Sequence, residues 1–230
     1  QQGIASVSRL MEELIPVYKR KSDMEKACLA YVFAIFHMTK FQAKEIVFPF
    51  LFDLLRNKSL YCRENALRAL YSSEDIHAVM QALEFLNANE QLLPHKKILV
   101  DGLLSFDKKE ELIPLLWKKL SEFHPRMQVN LLDYIRYASS NWKDEMLSML
   151  ETSQDREIQI ACVRYFGRYQ DERSVSFLLH HAKEEKEGVW ELQNACISAL
   201  AMYPGPQTLE ILKKEISSKN WYVRHNAAKS

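Results

Sequence analysis

Apolar residues recur along this chain in a four-position pattern that returns about every 32 residues. In each copy they stand at a central position, directly after it, and four positions before and after it. This spacing puts them on one stripe of an α-helix of 3.6 residues per turn, so each copy predicts a helix with one buried face. The seven centres are Cys28, Ala66, Leu99, Leu131, Cys162, Cys196 and Ala227.

The flanking positions extend the pattern and show one departure from it. In the first copy, Met24 and Val32 flank Cys28 and are predicted to face the core with it. In the third copy, His95 stands where the other copies have an apolar residue. Three positions before the centre, every copy has a long polar residue, which indicates either a solvated edge or a ladder of side chains between repeats. These residues are Glu25, Arg63, Lys96, Gln128, Gln159, Gln193 and Arg224.

A second helix follows most of these first helices after a short break rich in turn and N-cap residues. An earlier one, Arg9–Lys21, has no first helix before it, and Trp221–Ser230 is a first helix without a partner. Both ends are therefore interrupted within a repeat, and we expect residues 1–230 to be one solenoid domain from a longer chain. The other predicted second helices are Ile76–Leu86, Glu110–Leu120, Asp144–Leu150, Ser174–Lys183 and Gln207–Ile216.

Helix boundaries are predicted from capping residues and prolines. Ser22 followed by Glu25 predicts a capping box, and Pro94 and Pro125 suit first helical turns. Pro114 is also predicted to lie in a first turn, where its missing N–H costs little. Pro49 lies deeper in its segment, so we expect a kink or an early break near it.

Composition supports an all-helical, nearly neutral protein. Only five of 230 residues are glycine, and 31 basic residues stand against 30 acidic ones, so no electrostatic footprint for nucleic acid is present. Cys28, Cys62, Cys162 and Cys196 occupy apolar positions of the repeat, which predicts small buried residues in a reducing compartment. The longest apolar-rich stretch, 41–55, is interrupted by charges and cannot span a bilayer.

The stretch 221–228, Trp-Tyr-Val-Arg-His-Asn-Ala-Ala, resembles the Val-Arg-x-x-Ala-Ala core of HEAT repeats, and 62–67 and 158–163 are similar. Residues 111–116 resemble the second helix of the short HEAT type. The resemblance implies a right-handed α–α superhelix of about six helix pairs, of HEAT or armadillo type. It further implies that second helices line a concave surface that binds a partner protein.

The candidate contact residues lie on the second helices. Aligning these helices by their paired apolar residues puts Lys118, His181 and Lys214 at one outward register, which predicts a partner-facing strip. Trp117, next to this basic position, is a candidate exposed contact. Lysines near helix C-termini also offset the helix dipole, which is the competing interpretation. Trp190 and Trp221, six residues before their centres, are predicted to pack between repeats rather than to stack on a ligand.

No catalytic motif, cofactor motif or metal-ligand set stands out in the sequence. His180 and His181 point about 100° apart on a helix, and Glu185 is a single candidate carboxylate one turn beyond His181. We therefore predict a non-catalytic scaffold in the cytoplasm or at the cytoplasmic face of a membrane. Two alternatives stay open: a HEAT-like DNA-binding protein or alkylpurine DNA glycosylase, and the accessory domain of a protein whose membrane anchor precedes Gln1.

Overall fold

The computed structural model describes residues 2–40, 44–183 and 190–230, which fold into fourteen α-helices and four short 3-10 turns, without a β-strand among them. The prediction of an all-α helix-pair solenoid is confirmed. The chain divides into two compact units, Gln1–His124 and Pro125–Ser230.

In the first unit, first and second helices alternate along the chain and form two layers. Each first helix packs on the next first helix, and each second helix packs on the next second helix. The first helices are α2 (Asp23–Ile35), α4 (Leu60–Tyr71) and α6 (Lys96–Leu104). The second helices are α1 (Gln2–Tyr18), α3 (Lys44–Leu55), α5 (Ile76–Ala88) and α7 (Lys109–Lys119).

The second unit repeats this alternation. Its first helices again pack in sequence, and its last two second helices pack on each other. Five predicted second helices, from Ile76–Leu86 to Gln207–Ile216, agree with the observed bounds to within two residues, whereas the bounds predicted for the earlier one, Arg9–Lys21, were wrong because α1 is Gln2–Tyr18. The first helices are α8 (Pro125–Ala138), α10 (Arg156–Phe166), α12 (Trp190–Leu200) and α14 (Trp221–Lys229). The second helices are α9 (Lys143–Thr152), α11 (Val175–Ala182) and α13 (Pro206–Glu215).

The repeated apolar stripe forms the core of both units. The central residues of the second to seventh copies are all buried, as are the apolar residues four positions on either side of them. Full burial of each large aliphatic side chain contributes about 1.5–3 kcal/mol, so the stripe is the main source of cohesion between neighbouring helices.

The first copy follows a register one residue later than predicted. Leu29, Ala30 and Phe33 are buried in α2, whereas Cys28 and Met24 are exposed. The prediction for these two residues was therefore wrong, and so was the expectation that all four cysteines are buried. Because α2 has apolar residues on nearly every side, the spacing of these residues is compatible with two alternative buried faces, one residue apart in register.

Three prolines lie inside second helices without ending them. Pro49 and Pro114 are each the sixth residue of their helices, α3 and α7, and Pro16 lies near the end of α1. The predicted first-turn position of Pro114 was wrong, and α3 continues to Leu55 without an early break. Pro125 does begin α8, as predicted, whereas Pro94 precedes α6.

Capping explains two features of the sequence. Ser22 and Glu25 form the predicted capping box: the Glu25 N–H donates to the Ser22 hydroxyl, and the Ser22 N–H donates to the Glu25 carboxylate. His95 departs from the apolar pattern because it lies before α6 as its N-cap, where its Nδ1 accepts from the Lys97 N–H at 3.3 Å. A polar residue at this position therefore starts the helix instead of filling the core.

In three copies, the long polar residue three positions before the centre ties the first helix to the turn that precedes it. Arg63 Nη1 donates to the carbonyls of Asn57 and Lys58 at 2.9 and 2.8 Å. Arg224 makes the equivalent pair of bonds in the seventh copy, to the carbonyls of Ser218 and Lys219. In these copies the residue is a clamp on the turn, whereas Gln193 instead donates to the Glu215 carboxylate of α13 at 3.3 Å.

Removing this clamp will destabilise the first unit. We expect Arg63→Ala to lower the free energy of unfolding by about 2 kcal/mol, because it removes two charge-assisted hydrogen bonds to carbonyls at a turn. Arg63→Gln is the matched control, since Gln159 reaches the equivalent carbonyl of Ser153 with a single bond of 2.9 Å. Urea unfolding should rank wild type above Arg63→Gln and Arg63→Gln above Arg63→Ala; an Arg63→Ala variant as stable as wild type would contradict the clamp.

Candidate functional site

An apolar groove of 510 Å³ lies between α3 and α5 in the layer of second helices of the first unit. Three phenylalanines line it, and each is half-buried. We name it the phenylalanine groove; its lining residues are Phe48, Pro49, Phe52, Arg56, Gln81, Glu84 and Phe85.

The groove forms because α3 has more apolar residues than its core face needs. Val47, Phe50 and Leu51 are buried against the neighbouring helices. Phe48 and Phe52 stand one turn apart on the adjoining stripe, so they meet the groove instead of the core. Half-exposed phenylalanine rings keep part of their apolar surface in water, and burying that surface under a partner is favourable.

One cation and one ion pair border these rings. The Arg56 guanidinium lies over the Phe85 ring at 5.1 Å and donates to the Phe52 carbonyl at 3.2 Å. Its carboxylate neighbour, Asp53, is 3.7 Å away, and both side chains are exposed, which makes this pair weak. Glu84 accepts a hydrogen bond from Lys119 of α7, and this bond raises the pKa of Lys119.

The predicted contact residues lie outside the groove. Lys118 is exposed and Trp117 half-buried on α7, the second helix that packs against α5. It is the next residue, Lys119, that reaches the groove edge. Both lysines are in the last turn of α7, consistent with favourable interaction with the helix dipole.

In the second unit, His181 lies on α11 and Lys214 on α13, and these two second helices pack together. Lys214 is exposed, whereas His181 is half-buried and packs on the Phe177 ring at 4.2 Å. The structure thus places two of the predicted residues on neighbouring helices of one unit and Lys118 in the other unit. The strip that would join them stays a prediction.

The two tryptophans at equivalent registers differ in their surroundings. Trp190 stacks on Tyr222 of the neighbouring first helix, with ring centroids 5.1 Å apart, so its predicted packing between repeats is confirmed. Trp221 is 58% exposed and stacks on His225 of its own helix. Its ring therefore lies mainly at the surface.

The described ranges contain neither a candidate metal site nor a candidate membrane-spanning helix. Across residues 2–40, 44–183 and 190–230, no three His, Cys, Asp or Glu side chains come together as a candidate metal site. Glu185, the carboxylate one turn beyond His181, lies outside the described residues. No described helix combines the length and apolar character that crossing a bilayer requires.

Comparisons with known proteins give only distant likenesses. No protein-family model and no curated protein matches the chain. Among solved structures, the chain is similar to human deoxyhypusine hydroxylase in complex with glycerol, at 15% identity and a TM-score of 0.41, over 99% of this chain and 87% of that one. It is also similar to an engineered protein, at 15% identity and a TM-score of 0.45, over 95% of this chain and 66% of that one. Likenesses this distant do not indicate what the chain binds or catalyses.

Proposed function

We propose that this chain is a non-catalytic binding module of HEAT type that holds a partner protein through the phenylalanine groove. The observation that carries the proposal is the set of three half-buried phenylalanines around a 510 Å³ groove on two second helices. This volume lies within the range of about 300–1,000 Å³ that is typical of ligand sites, and apolar lining with a few polar residues is also typical of them.

The groove fits an amphipathic helix of the partner. Such helices insert large apolar side chains, spaced three or four residues apart, between two helices of the receptor. Two anchors at this spacing could cover the rings of Phe52 and Phe85, while an acidic residue beside them would meet Arg56. Because the ion pair between Arg56 and Asp53 is long and exposed to solvent, Arg56 can form a better ion pair with a carboxylate of the partner helix.

A library of displayed helical peptides, selected on the whole chain, provides a direct test. We expect the selected peptides to carry two large apolar residues at this spacing with an adjacent Asp or Glu. Phe52→Glu and Phe85→Glu should each weaken their binding by at least tenfold, because each change puts a carboxylate where the apolar anchor packs; losing about 2 kcal/mol of apolar burial corresponds to roughly thirtyfold. Fluorescence anisotropy of one labelled peptide measures the effect.

Tyr61→Glu is the matched control, since Tyr61 is an exposed aromatic residue on α4 outside the groove. It should bind like wild type, and circular dichroism should show all three variants folded. Equal binding by wild type, Phe52→Glu and Phe85→Glu would rule the groove out as the contact surface. In the same assay, Lys118→Glu combined with Lys214→Glu tests the predicted strip. If the strip contacts the partner, this double variant should bind the peptide more weakly than wild type; unchanged binding would show that the strip is misplaced.

A further inference from the structure

A second cleft, of 390 Å³, lies on the first helices of the second unit and is rich in arginine. Arg136 of α8, Arg164 of α10 and Arg168 of the turn after α10 line it, together with one acidic residue, Glu191 of α12. We name it the arginine cleft. Because the full chain has almost equal numbers of acidic and basic residues, three arginines around one cleft are a local concentration of positive charge.

The two arginines at the C-terminal end of α10 are poorly compensated. Arg164 lies in the last turn of α10, Arg168 directly follows its C-cap Gly167, and both side chains are exposed. Arg164 forms no ion pair or hydrogen bond with any residue in the described part of the chain. Arg168 contacts aromatic groups, the Tyr137 ring at 5.3 Å and the Tyr169 ring at 5.6 Å. Neither contact neutralises its charge.

Arg136 and Tyr137 give the cleft a prearranged wall. Arg136 donates to the Tyr137 hydroxyl at 2.8 Å and pairs with the largely buried Asp133 at 3.0 Å. Its guanidinium also lies over the Tyr137 ring at 4.3 Å, so that this ring has Arg136 and Arg168 as cationic neighbours. The ring is thereby occupied by guanidinium groups, which favours an anionic group over a stacked base as the ligand.

Neutral donors complete the site. Asn226 donates to the Asn194 side-chain oxygen at 2.8 Å and to the Ser198 hydroxyl at 2.9 Å. Because the Asn194 oxygen is engaged, its amide N–H₂ is the group that can donate to a ligand oxygen. The floor between α10 and α12 is formed by small residues: a Cβ at Gly167 would lie 3.3 Å from the Cα of Ala199. The C-terminal end of α10 therefore packs closely on α12, which holds the two sides of the cleft together.

We propose that the arginine cleft binds a phosphomonoester group. A phosphomonoester carries a charge of about −1.5 to −2 at neutral pH and has three acceptor oxygens, so it can bridge the guanidiniums of Arg164 and Arg168. A single carboxylate is satisfied by one bidentate arginine and leaves the other uncompensated. The same group occurs on a phosphorylated side chain of a protein and on a small phosphoester, and the test separates these two sources.

The test uses isothermal titration of the whole chain with a pentapeptide, acetylated Ala-Ala-phosphoserine-Ala-Ala amide, and with adenosine monophosphate. We expect at least one of the two to bind, and Arg164→Gln combined with Arg168→Gln to weaken that binding at least tenfold. Changing the same two arginines to lysine should give an intermediate loss, because lysine keeps the charge without the bidentate geometry. The matched control is Arg126→Gln with Arg156→Gln, exposed arginines of α8 and α10 outside the cleft.

Stronger binding of the phosphopeptide supports a phosphorylated protein as the source, and stronger binding of adenosine monophosphate supports a small phosphoester. The proposal is overturned by no binding of either probe, by equal losses in the control, or by equal binding of the pentapeptide with glutamate in place of phosphoserine. Tighter binding of a thymidine oligonucleotide than of both probes would overturn it in favour of nucleic acid. Because these probes and variants do not involve the phenylalanine groove, the result is independent of the proposed function.

Discussion

Of the four cysteines, Cys28 alone will react rapidly with iodoacetamide in the folded protein. Its thiol is exposed on α2, whereas Cys62, Cys162 and Cys196 are buried. Burial raises the pKa of Cys162 to about 12, and burial also raises the pKa of Cys62. Because the thiolate is the reactive form, a pKa near 12 in place of about 9 lowers the reactive fraction at pH 8 by about a thousandfold, before steric protection is added.

Mass spectrometry of the alkylated chain measures this directly. We expect one modified thiol within minutes under native conditions and four after unfolding in urea. Cys28→Ser should remove the fast reaction completely, which assigns it to that residue. Fast modification of Cys162 in the folded chain would show that the helix stripe of α10 is not packed as described.

The sequence predicted the repeated fold well wherever apolar and polar residues alternate. In α10, Glu157, Gln159 and Arg164 separate the apolar residues, so only one face can be buried and the register follows. In α2, the run Ala-Cys-Leu-Ala-Tyr-Val-Phe-Ala-Ile has no polar residue to separate two registers. The contacts of α2 with α4 decide between the two registers, and such tertiary contacts cannot be deduced from the spacing of apolar residues within one helix.

The candidate sites were harder to predict, for two different reasons. The phenylalanine groove did leave a signal, because Phe48 and Phe52 exceed the number of large apolar residues that one face of α3 can bury. The predictions made for this stretch concerned a bilayer span and the effect of Pro49, not a binding surface. The arginine cleft left a weaker signal. Arg164 and Arg168 are four residues apart in one copy of the repeat, but Arg136 and Asn194 come from other copies, and only the packing of α8, α10 and α12 brings them together.

The other large effect concerns Tyr134, a fully buried residue of α8. No described residue lies within hydrogen-bond distance of its hydroxyl. Burial raises the pKa of this phenol above its usual value near 10. The folded state therefore keeps the proton at a pH where the unfolded state has lost it. Because ionisation of the phenol then favours the unfolded state, the free energy of unfolding is unaffected below about pH 10 and falls above it, by about 1.4 kcal/mol for each further pH unit.

We expect Tyr134→Phe to raise the free energy of unfolding by about 1 kcal/mol at pH 7, because it removes a buried hydroxyl that lacks a partner. At pH 11 the advantage should grow to about 2 kcal/mol, because the phenylalanine variant has no phenol to ionise on unfolding. Urea unfolding at both pH values measures the change, and Tyr61→Phe, which alters an exposed ring, controls for the loss of a tyrosine. If Tyr134→Phe is less stable than wild type at pH 7, the hydroxyl forms a stabilising hydrogen bond; an advantage that does not grow by pH 11 would show that burial does not keep this phenol protonated.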